Sequence, residues 1–230
     1  MNLIEDADKL IRSEGWSILE KDRTPAKALF KSGPKGVQSV DGLSILNYQH
    51  GQLQDALDYV ENFDCAVDGG ANYGFMTYHL RDFKTVHAFE LFEPVRKCLE
   101  ENVAHFNMSY AQVHPYGLGE QRKFVGMQKK GTFGNHVHPD GRDGDIELIP
   151  LDEMELDACD FIKLDCEGYE PFILNGARET ISNFKPIILM ENKGLCERWG
   201  ISKEEQVGIL LDHGYGILKE YKKDIIMGPL

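Results

Sequence analysis

Four short apolar runs in this chain each end in a carboxylic acid. The acids are Asp68, Glu90, Asp165 and Glu191. Runs of this length, separated by segments with helical periodicity, predict buried parallel strands, and ligands of such sheets bind just beyond the carboxyl ends of the strands. We therefore expect the four carboxylates to surround one crevice, where they could face a cation, accept hydrogen bonds or take up a proton.

Asp68, the first of these acids, begins a glycine-bearing turn that leads into a helix. Glycine allows a tight turn and a close approach of the backbone to a ligand, and Asn72 is placed to cap the helix that follows. The turn does not match the Gly-x-Gly-x-x-Gly pattern of dinucleotide sites, which disfavours a pyrophosphate ligand. The predicted cofactor contacts in this segment are Asp68, Gly69, Gly70, Ala71, Asn72 and Gly74.

The second acid, Glu90, ends the next run, where its carboxylate can accept hydrogen bonds from both hydroxyls of a ribose. The alternative is an ordinary acid at the start of the helix that contains Pro94. A cofactor with a ribose, a cationic centre and an ammonium group, but no phosphate, suits this acidic edge, and S-adenosylmethionine is such a molecule. Asp68 would face its amino-acid or sulfonium end. Its adenine would be flanked by Tyr116, Gly117 and Leu118, which come after the third run.

The elements that must position these residues alternate between strands and helices. Pro94 and Pro171 each suit the first turn of a helix, and the apolar residues after each proline repeat at helical spacing as far as Phe106 and Phe184. Ser202 and Glu205 form a capping box. Residues 215–221 and 224–227 predict a closing antiparallel hairpin.

Two segments lie outside this alternation. Residues 1–45 are predicted to form a helical extension, with a helix over 2–14 that ends at Gly15, followed by a Gly-, Pro- and Ser-rich loop from 32 to 42. Residues 46–230 then form one domain. Within it, residues 124–150 are rich in glycine and have no helical period, which favours an insertion that covers the substrate.

Several segments of the domain share one resemblance. They are residues 67–74, residues 87–90 with Pro94, residues 160–170 with Gly176 and Ala177, and residues 186–191. Together they resemble the FkbM family of S-adenosylmethionine-dependent methyltransferases. The resemblance implies an α/β class I methyltransferase fold, a Rossmann-like three-layer sandwich whose seven-stranded sheet has one antiparallel strand. It also implies methylation of a hydroxyl oxygen, often on a sugar or a polyketide.

The segment around Asp165 carries the residues for proton transfer. Lys163 lies in an apolar strand and is costly to bury without a partner, for which Asp165 and Glu191 are the candidates. One interpretation is a buried ion pair that only holds this strand beside the next one. The other is catalytic: methyl transfer requires an oriented hydroxyl and a base that takes its proton. Asp165 is the first choice as base.

Other residues could share this chemistry. Glu167 and Glu191 are candidates for orienting the acceptor, and His136 or His138 could act as the base if the insertion folds over the site. The two histidines could also bind a metal, but no third ligand has a recognisable spacing, so ordinary polar loop residues are the preferred interpretation. Asp165 and Glu191 offer the oxygen ligands that Mg²⁺ takes, although a metal is not favoured.

Composition restricts the partners. The chain has 230 residues, of which 42% are hydrophobic, and a formal net charge of −13. Such an acidic chain is a poor partner for nucleic acid, whose phosphates are bound by clustered Lys and Arg. The five cysteines are an odd number, the amino terminus has acids where a signal peptide needs basic residues, and no run is long enough to span a membrane. A cytoplasmic protein with a small-molecule or saccharide acceptor is expected.

Two other classes of function use the same architecture. An NAD-type oxidoreductase would have the same strands and turn, and binding of S-adenosylhomocysteine compared with NAD separates the two. A catalytically silent interaction module on this scaffold would bind no cofactor and turn over no acceptor. The oligomeric state cannot be predicted from these patterns.

Overall fold

The computed structural model describes residues 10–13, 16–19, 50–128, 136–138 and 144–230. The predicted loop from 32 to 42 and the predicted domain boundary after residue 45 lie outside these ranges. Within them, seven strands form the central sheet. In chain order they are β3 (Cys65–Gly69), β4 (Thr85–Phe89), β5 (Ala111–His114), β11 (Phe161–Leu164), β12 (Ile187–Glu191), β13 (Tyr215–Glu220) and β14 (Asp224–Pro229).

The strand order is β13-β14-β12-β11-β3-β4-β5. Strand β14 is antiparallel to both of its neighbours, while the pairs from β12 to β5 are parallel. The predicted class I methyltransferase fold, with its mostly parallel sheet and closing hairpin, is therefore confirmed. Because β3, β4, β11 and β12 are parallel neighbours, the four predicted acids follow or end strands at one edge of the sheet.

The helices cover both faces of this sheet. They are α1 (His50–Leu57), α2 (Phe75–His79), α3 (Glu93–His105), α4 (Glu170–Asn175), α5 (Arg178–Phe184) and α6 (Lys203–Asp212). Along β11, Phe161 packs into the apolar cluster on one face, and Ile162 and Leu164 pack into the cluster on the other. This alternation follows from the two-residue period of a strand and gives the sheet a core on each side. Among the helices of the described ranges, none is long and apolar enough to cross a membrane.

Several local predictions are confirmed. Helix α3 has its proline in the first turn, and α6 starts with the Ser202–Glu205 capping box. The helix predicted after Pro171 is broken into α4 and α5 at Gly176. A Cβ at Gly176 would lie 1.9 Å from the carbonyl oxygen of Gly119, and the Asp152 carboxylate accepts hydrogen bonds from the first amides of α5 at Glu179 and Thr180. A long-range contact and a cap from another segment thus override a continuous helical pattern.

The helix predicted over residues 2–14 is wrong where the structure describes it. Residues Leu10–Ser13 form strand β1, which pairs antiparallel with β2 (Trp16–Leu19). Strand β2 is buried against the domain, and burial of this hairpin outweighs the weak helical periodicity of the segment. Glu14-Gly15, a two-residue connection ending in glycine, is typical of hairpins and was the sequence signal for this structure. Residues 1–9 lie outside the described ranges.

The segment from 124 to 150 contains short strands. They are β7 (Lys123–Val125), β8 (Met127–Gln128), β9 (His136–Val137) and β10 (Ile146–Ile149), and β10 also pairs with β6 (Gly117–Leu118). Residues 129–135 and 139–143 are outside the described ranges. The predicted lack of helical structure agrees with these strands, and a substrate-covering role for the segment stays a prediction.

Candidate active site

The glycine turn follows β3 and leads into α2; we call residues 68–74 the cofactor turn. The amides of Gly70 and Ala71 both donate to the carbonyl oxygen of Phe89, at 3.0 and 2.9 Å, which ties the turn to the end of β4. Gly70 has φ +75°, and a Cβ there would lie 2.0 Å from the carbonyl oxygen of Asp165. Only glycine meets both conditions, because an L side chain would be strained at this φ and would collide with the end of β11.

Asn72 does not cap the following helix, contrary to the sequence prediction. The helix cap is Gly74, which has φ +88° and offers no side chain. The Asn72 side-chain oxygen instead accepts a hydrogen bond from the Tyr73 amide at 2.9 Å, and Asn72 itself has φ +51°. Asparagine tolerates this left-handed conformation better than most residues, so its type is selected by the turn.

Glu90 is fixed by two backbone amides. Its Oε2 accepts from the Asn72 amide at 3.0 Å, and its Oε1 accepts from the Phe92 amide at 2.8 Å. Burial raises the pKa of this carboxyl, and the two amide hydrogen bonds act in the opposite direction. Each carboxylate oxygen has a second lone pair, so an immobilised acceptor remains for two further donors.

Asp68 and Lys163 form a buried ion pair between β3 and β11. The Lys163 Nζ lies 2.9 Å from Asp68 Oδ1 and donates to the Gly70 carbonyl at 2.9 Å, while Thr77 donates to Asp68 Oδ2 at 2.6 Å. Burial acts to lower the pKa of Lys163, but the charges of Asp68 and Asp165 outweigh it, so the pKa is raised and the lysine is charged.

This geometry corrects two predictions. The partner of Lys163 is Asp68 rather than Asp165 or Glu191, and the pair joins its strand to β3 rather than to β12. Asp68 is fully buried, accepts a hydrogen bond from Thr77 on one carboxylate oxygen and forms the ion pair through the other, and its contact with a cofactor stays a prediction. The pairing partner was missed because it lies far away in sequence and is set by the parallel register, in which Lys163 is directly opposite Asp68.

The segment Tyr116 to Leu118 follows β5, as expected. Gly117 and Leu118 form β6 and are buried; a Cβ at Gly117 would lie 2.1 Å from a methyl carbon of Leu91, which directly follows Glu90. Tyr116 is half-buried, with its ring 6.0 Å from that of Phe89 and its hydroxyl 3.4 Å from the sulfur of Met154. The segment is therefore packed beside the end of β4, and its contact with an adenine stays a prediction.

On the other side of the cofactor turn, acidic side chains gather at the ends of β11, β12 and β14. We call Asp165, Glu170, Glu191 and Asp224 the acidic pocket. Burial, together with the charge of Asp165, raises the pKa of Glu191 to about 9, and Lys193 forms an ion pair with it. The raised pKa favours the protonated carboxyl, which can donate a hydrogen bond as well as accept one, while the ion pair with Lys193 acts in the opposite direction.

Two members of the acidic pocket were missed as site residues. Glu170 is fully buried, accepts a hydrogen bond from the Cys166 amide at 2.7 Å, and has its pKa raised to about 8, mainly by burial. Asp224 is directly opposite Glu191 in the β12–β14 ladder, and burial and Asp165 raise its pKa. Glu170 had a sequence signal, since it ends the Asp160–Glu170 segment; it is also the first residue of α4, where acids are common.

Glu167 lies in the strained loop between β11 and α4. It has φ +56°, an uncommon value for a residue other than glycine, and Gly168 follows with φ +92°. A Cβ at Gly168 would lie 2.5 Å from the carbonyl carbon of Leu195, so the loop is wedged against the segment after β12. Strained backbone of this kind is often found at functional sites, and it keeps Glu167 a candidate for orienting an acceptor.

The two histidines of the insertion have different environments. His136 is buried, its Nε2 is 3.0 Å from the Gln128 side-chain oxygen, and its ring lies edge-on to Trp199 at 6.3 Å. Trp199 in turn packs on Tyr169, next to Glu170. The amide of His138 donates to the carbonyl of Gly126 at 2.8 Å. His136 is thus part of an aromatic cluster beside the acidic pocket, rather than an exposed loop residue.

Within the described ranges, no three His, Cys, Asp or Glu side chains are arranged to hold a metal ion. The features that fit S-adenosylmethionine are the immobilised Glu90 carboxylate and the glycine backbone of the cofactor turn. The Asp165 amide donates to the Gly69 carbonyl at 3.0 Å, which places Asp165 between the cofactor turn and the acidic pocket.

Comparisons with known proteins agree with this architecture. The model of the methyltransferase FkbM domain family matches residues 68–217. The structure of Methyltransferase FkbM from Methylobacillus flagellatus KT is similar at 18% identity and a TM-score of 0.51, over 90% of this chain and 58% of that one. A putative rRNA-methylase from Clostridium thermocellum is similar at 10% identity and a TM-score of 0.51, over 79% of this chain and 96% of that one. Among curated proteins the comparison found no match.

Proposed function

Because this chain belongs to the methyltransferase FkbM domain family, we propose that it binds S-adenosylmethionine at the cofactor turn and methylates a hydroxyl of a small molecule or saccharide. Its likeness to solved structures supports the fold alone. The chain spans 58% of the length of the FkbM structure from Methylobacillus flagellatus, so the activity of that longer protein is not transferred to it.

The observation that carries the proposal is the fixed carboxylate of Glu90. Two amides, one from the cofactor turn and one from the start of α3, hold it with both oxygens partly free to accept. A rigid pair of acceptors matches the two adjacent hydroxyls of a ribose, and it does not suit a phosphate, which it would repel. The glycines beside it allow the rest of the cofactor to approach the backbone.

The acidic pocket is the proposed place for the acceptor. When bound, S-adenosylmethionine supplies an electrophilic methyl group on a positively charged sulfur. Asp165, at the boundary of the two regions, would take the proton from the acceptor hydroxyl and so make its oxygen a better nucleophile. Glu191 and Glu167 orient the hydroxyl, and His136 or His138 are the alternative bases.

The acidic side chains also shape the choice of acceptor. Carboxyl groups that donate and accept hydrogen bonds suit a neutral, hydroxyl-rich molecule, and the net charge of −13 disfavours polyanions. A neutral saccharide or polyhydroxylated small molecule therefore fits better than a nucleic acid.

Calorimetric titration with S-adenosylhomocysteine and with NAD tests the cofactor. We expect binding of the first only, and binding of NAD alone would support the oxidoreductase alternative. Transfer of a labelled methyl group to a panel of neutral saccharides, hydroxylated small molecules and RNA then tests the acceptor. Failure to bind either cofactor and to methylate any compound would support the silent interaction module.

A further inference from the structure

The β1–β2 hairpin lies outside residues 68–217, which the family model matches, and yet it packs beside the cofactor turn. Trp16, Ile18 and Leu19 are buried in one apolar cluster with Tyr73 and Phe92, the residues that follow Asn72 and precede the start of α3. The Trp16 ring lies 4.7 Å from that of Phe75 and 4.5 Å from that of Phe106. The hairpin is thus in contact with both segments that hold Glu90.

One fully buried side chain of α3 bonds to the backbone of the hairpin. Asn102, on α3, is fully buried; its side-chain oxygen accepts from the Ser17 amide at 2.6 Å, and its side-chain nitrogen donates to the Ser17 carbonyl at 3.0 Å. A primary amide has the same donor and acceptor as a peptide group, so Asn102 bonds to β2 as a neighbouring strand would. The same nitrogen also donates to the carbonyl oxygen of Tyr73 at 2.9 Å.

Tyr73 carries the connection into the cofactor turn. Its hydroxyl accepts a hydrogen bond from the Leu19 amide at 3.3 Å, so the hairpin contacts Tyr73 both directly and through Asn102. The Tyr73 amide donates to the side chain of Asn72, and the Asn72 amide donates to Glu90. An unbroken series of hydrogen bonds therefore runs from β2 to the carboxylate proposed to bind the ribose.

The backbone of the turn needs such support. Asn72 has φ +51°, and a left-handed conformation costs a residue other than glycine of order 1 kcal/mol, so its neighbours must hold it. We propose that the β1–β2 hairpin is a positioning element of the cofactor site, and that Asn102 and Tyr73 transmit its docking to Asn72 and Glu90. The role in cofactor binding rests on the proposed function, whereas the mechanical coupling does not.

Amide hydrogen exchange on the protein without ligand tests the coupling. The variant Asn102→Leu keeps the size of the side chain and removes its hydrogen bonds, and Tyr73→Phe removes only the hydroxyl and serves if Asn102→Leu fails to fold. We expect faster exchange at residues 70–74 as well as at 16–19, with exchange in α6 unchanged. Glu93→Gln is the control, because Glu93 lies on the exposed first turn of the same helix and forms an ion pair with Lys97.

Binding of S-adenosylhomocysteine provides the second measurement. We expect Asn102→Leu to weaken it by about tenfold and Tyr73→Phe by a few-fold, with less than about a twofold change in Glu93→Gln. Because coupling between two sites is reciprocal, the ligand should also slow amide exchange at 16–19 in the wild type, which a purely structural role would not produce.

These outcomes separate the two proposals. If exchange at 16–19 rises in the variants while residues 70–74 keep the wild-type rate, the coupling is refuted, whatever the protein binds. If residues 70–74 respond but the wild type binds no S-adenosylhomocysteine, the coupling stands and the proposed function fails. If both variants loosen the turn and still bind as tightly as the wild type, the hairpin has no part in cofactor binding.

Discussion

The cofactor turn and the acidic pocket lie at the same edge of one sheet, but their polar groups are satisfied in different ways. In the cofactor turn, both oxygens of Glu90 accept amide hydrogen bonds, and Asp68 accepts from Thr77 on one oxygen and forms an ion pair with Lys163 through the other. In the acidic pocket, Glu191 Oε2 and the neighbouring Asn192 Oδ1 are buried and have no hydrogen-bond partner within the described part of the chain. The first region is organised before any ligand arrives, whereas the second keeps its hydrogen-bonding capacity for protons or an acceptor.

The two regions differ in the positive charges and amide donors that lie near their carboxyl groups. Lys163 sits below the cofactor turn and neutralises Asp68, while the acidic pocket has four carboxyl groups near Lys193. Carboxyls that are crowded and buried bind protons more tightly, which explains the raised pKa of Glu170, Glu191 and Asp224. On the proposed function, the first region would bind the cofactor and the second would bind the acceptor.

The largest effect is expected from Asp165→Asn. The amide keeps the size of the side chain but cannot take up a proton, so methyl transfer should fall by about 10²- to 10⁴-fold. Affinity for S-adenosylhomocysteine should change little, because the cofactor turn is held by other groups. Steady-state turnover and calorimetry on the same preparation measure both quantities, and unchanged turnover would remove Asp165 as the base.

Lys163→Met tests how much the buried ion pair with Asp68 contributes to stability beside the cofactor turn. It leaves Asp68 buried without its cation, and breaking a buried pair costs about 3–5 kcal/mol in the free energy of unfolding. Urea denaturation should show this loss. The double variant Lys163→Met with Asp68→Asn removes the uncompensated charge and should recover part of it; an equal or greater loss in the double variant would contradict this explanation.

Glu90→Gln separates cofactor recognition from stability. Hydrogen bonds to a charged group contribute about 1.5–3 kcal/mol, so affinity for S-adenosylhomocysteine should fall by roughly 10- to 150-fold. Glu93→Gln, on the exposed first turn of α3, is the control and should bind normally. If Glu90→Gln binds as tightly as the wild type, this carboxylate does not contact the ribose.

The smallest effect is expected in the pH dependence of the free energy of unfolding, which arises from the carboxyl groups of the acidic pocket. Glu191 and Glu170 have pKa values of about 9 and 8 in the folded protein, above their ordinary value of 4.5. The folded state therefore holds more protons than the unfolded state between about pH 4.5 and 9, and stability should fall as pH rises through this window.

The slope should be of order 1 kcal/mol per pH unit around neutrality. A glutamine side chain cannot ionise, so Glu191→Gln should reduce this slope. Glu204→Gln, on the exposed surface of α6, should leave the slope unchanged. Urea unfolding at several pH values gives the slopes, and equal slopes in the wild type and Glu191→Gln would show that Glu191 is ionised throughout.

The predictions that succeeded from sequence depended on neighbouring residues. The Ser202–Glu205 capping box, the proline in the first turn of α3 and the apolar runs that become β3, β4, β11 and β12 are patterns within a few residues. The acids at the ends of those runs, and hence the place of the candidate site, followed from the period of the strands and the parallel arrangement. Local sequence also predicted the closing hairpin.

The predictions that failed depended on contacts between distant residues. Asn72 was expected to cap a helix, but the approach of β11 and β4 sets the shape of the turn. Leu10–Ser13 were expected to be helical, but docking of the hairpin on α3 favours a strand. Neither competing contact is visible in the local pattern, because its partner lies tens of residues away.

By itself, the amino-acid sequence determined the alternation of strands and helices, the acids at the strand ends and the glycines between them, because propensity, capping and periodicity act over short separations. Only the tertiary structure decided that Lys163 pairs with Asp68, that Glu170 and Asp224 join Glu191, and that β2 supports the cofactor turn through Asn102. Register and burial select those partners, and both arise only when the whole sheet has assembled.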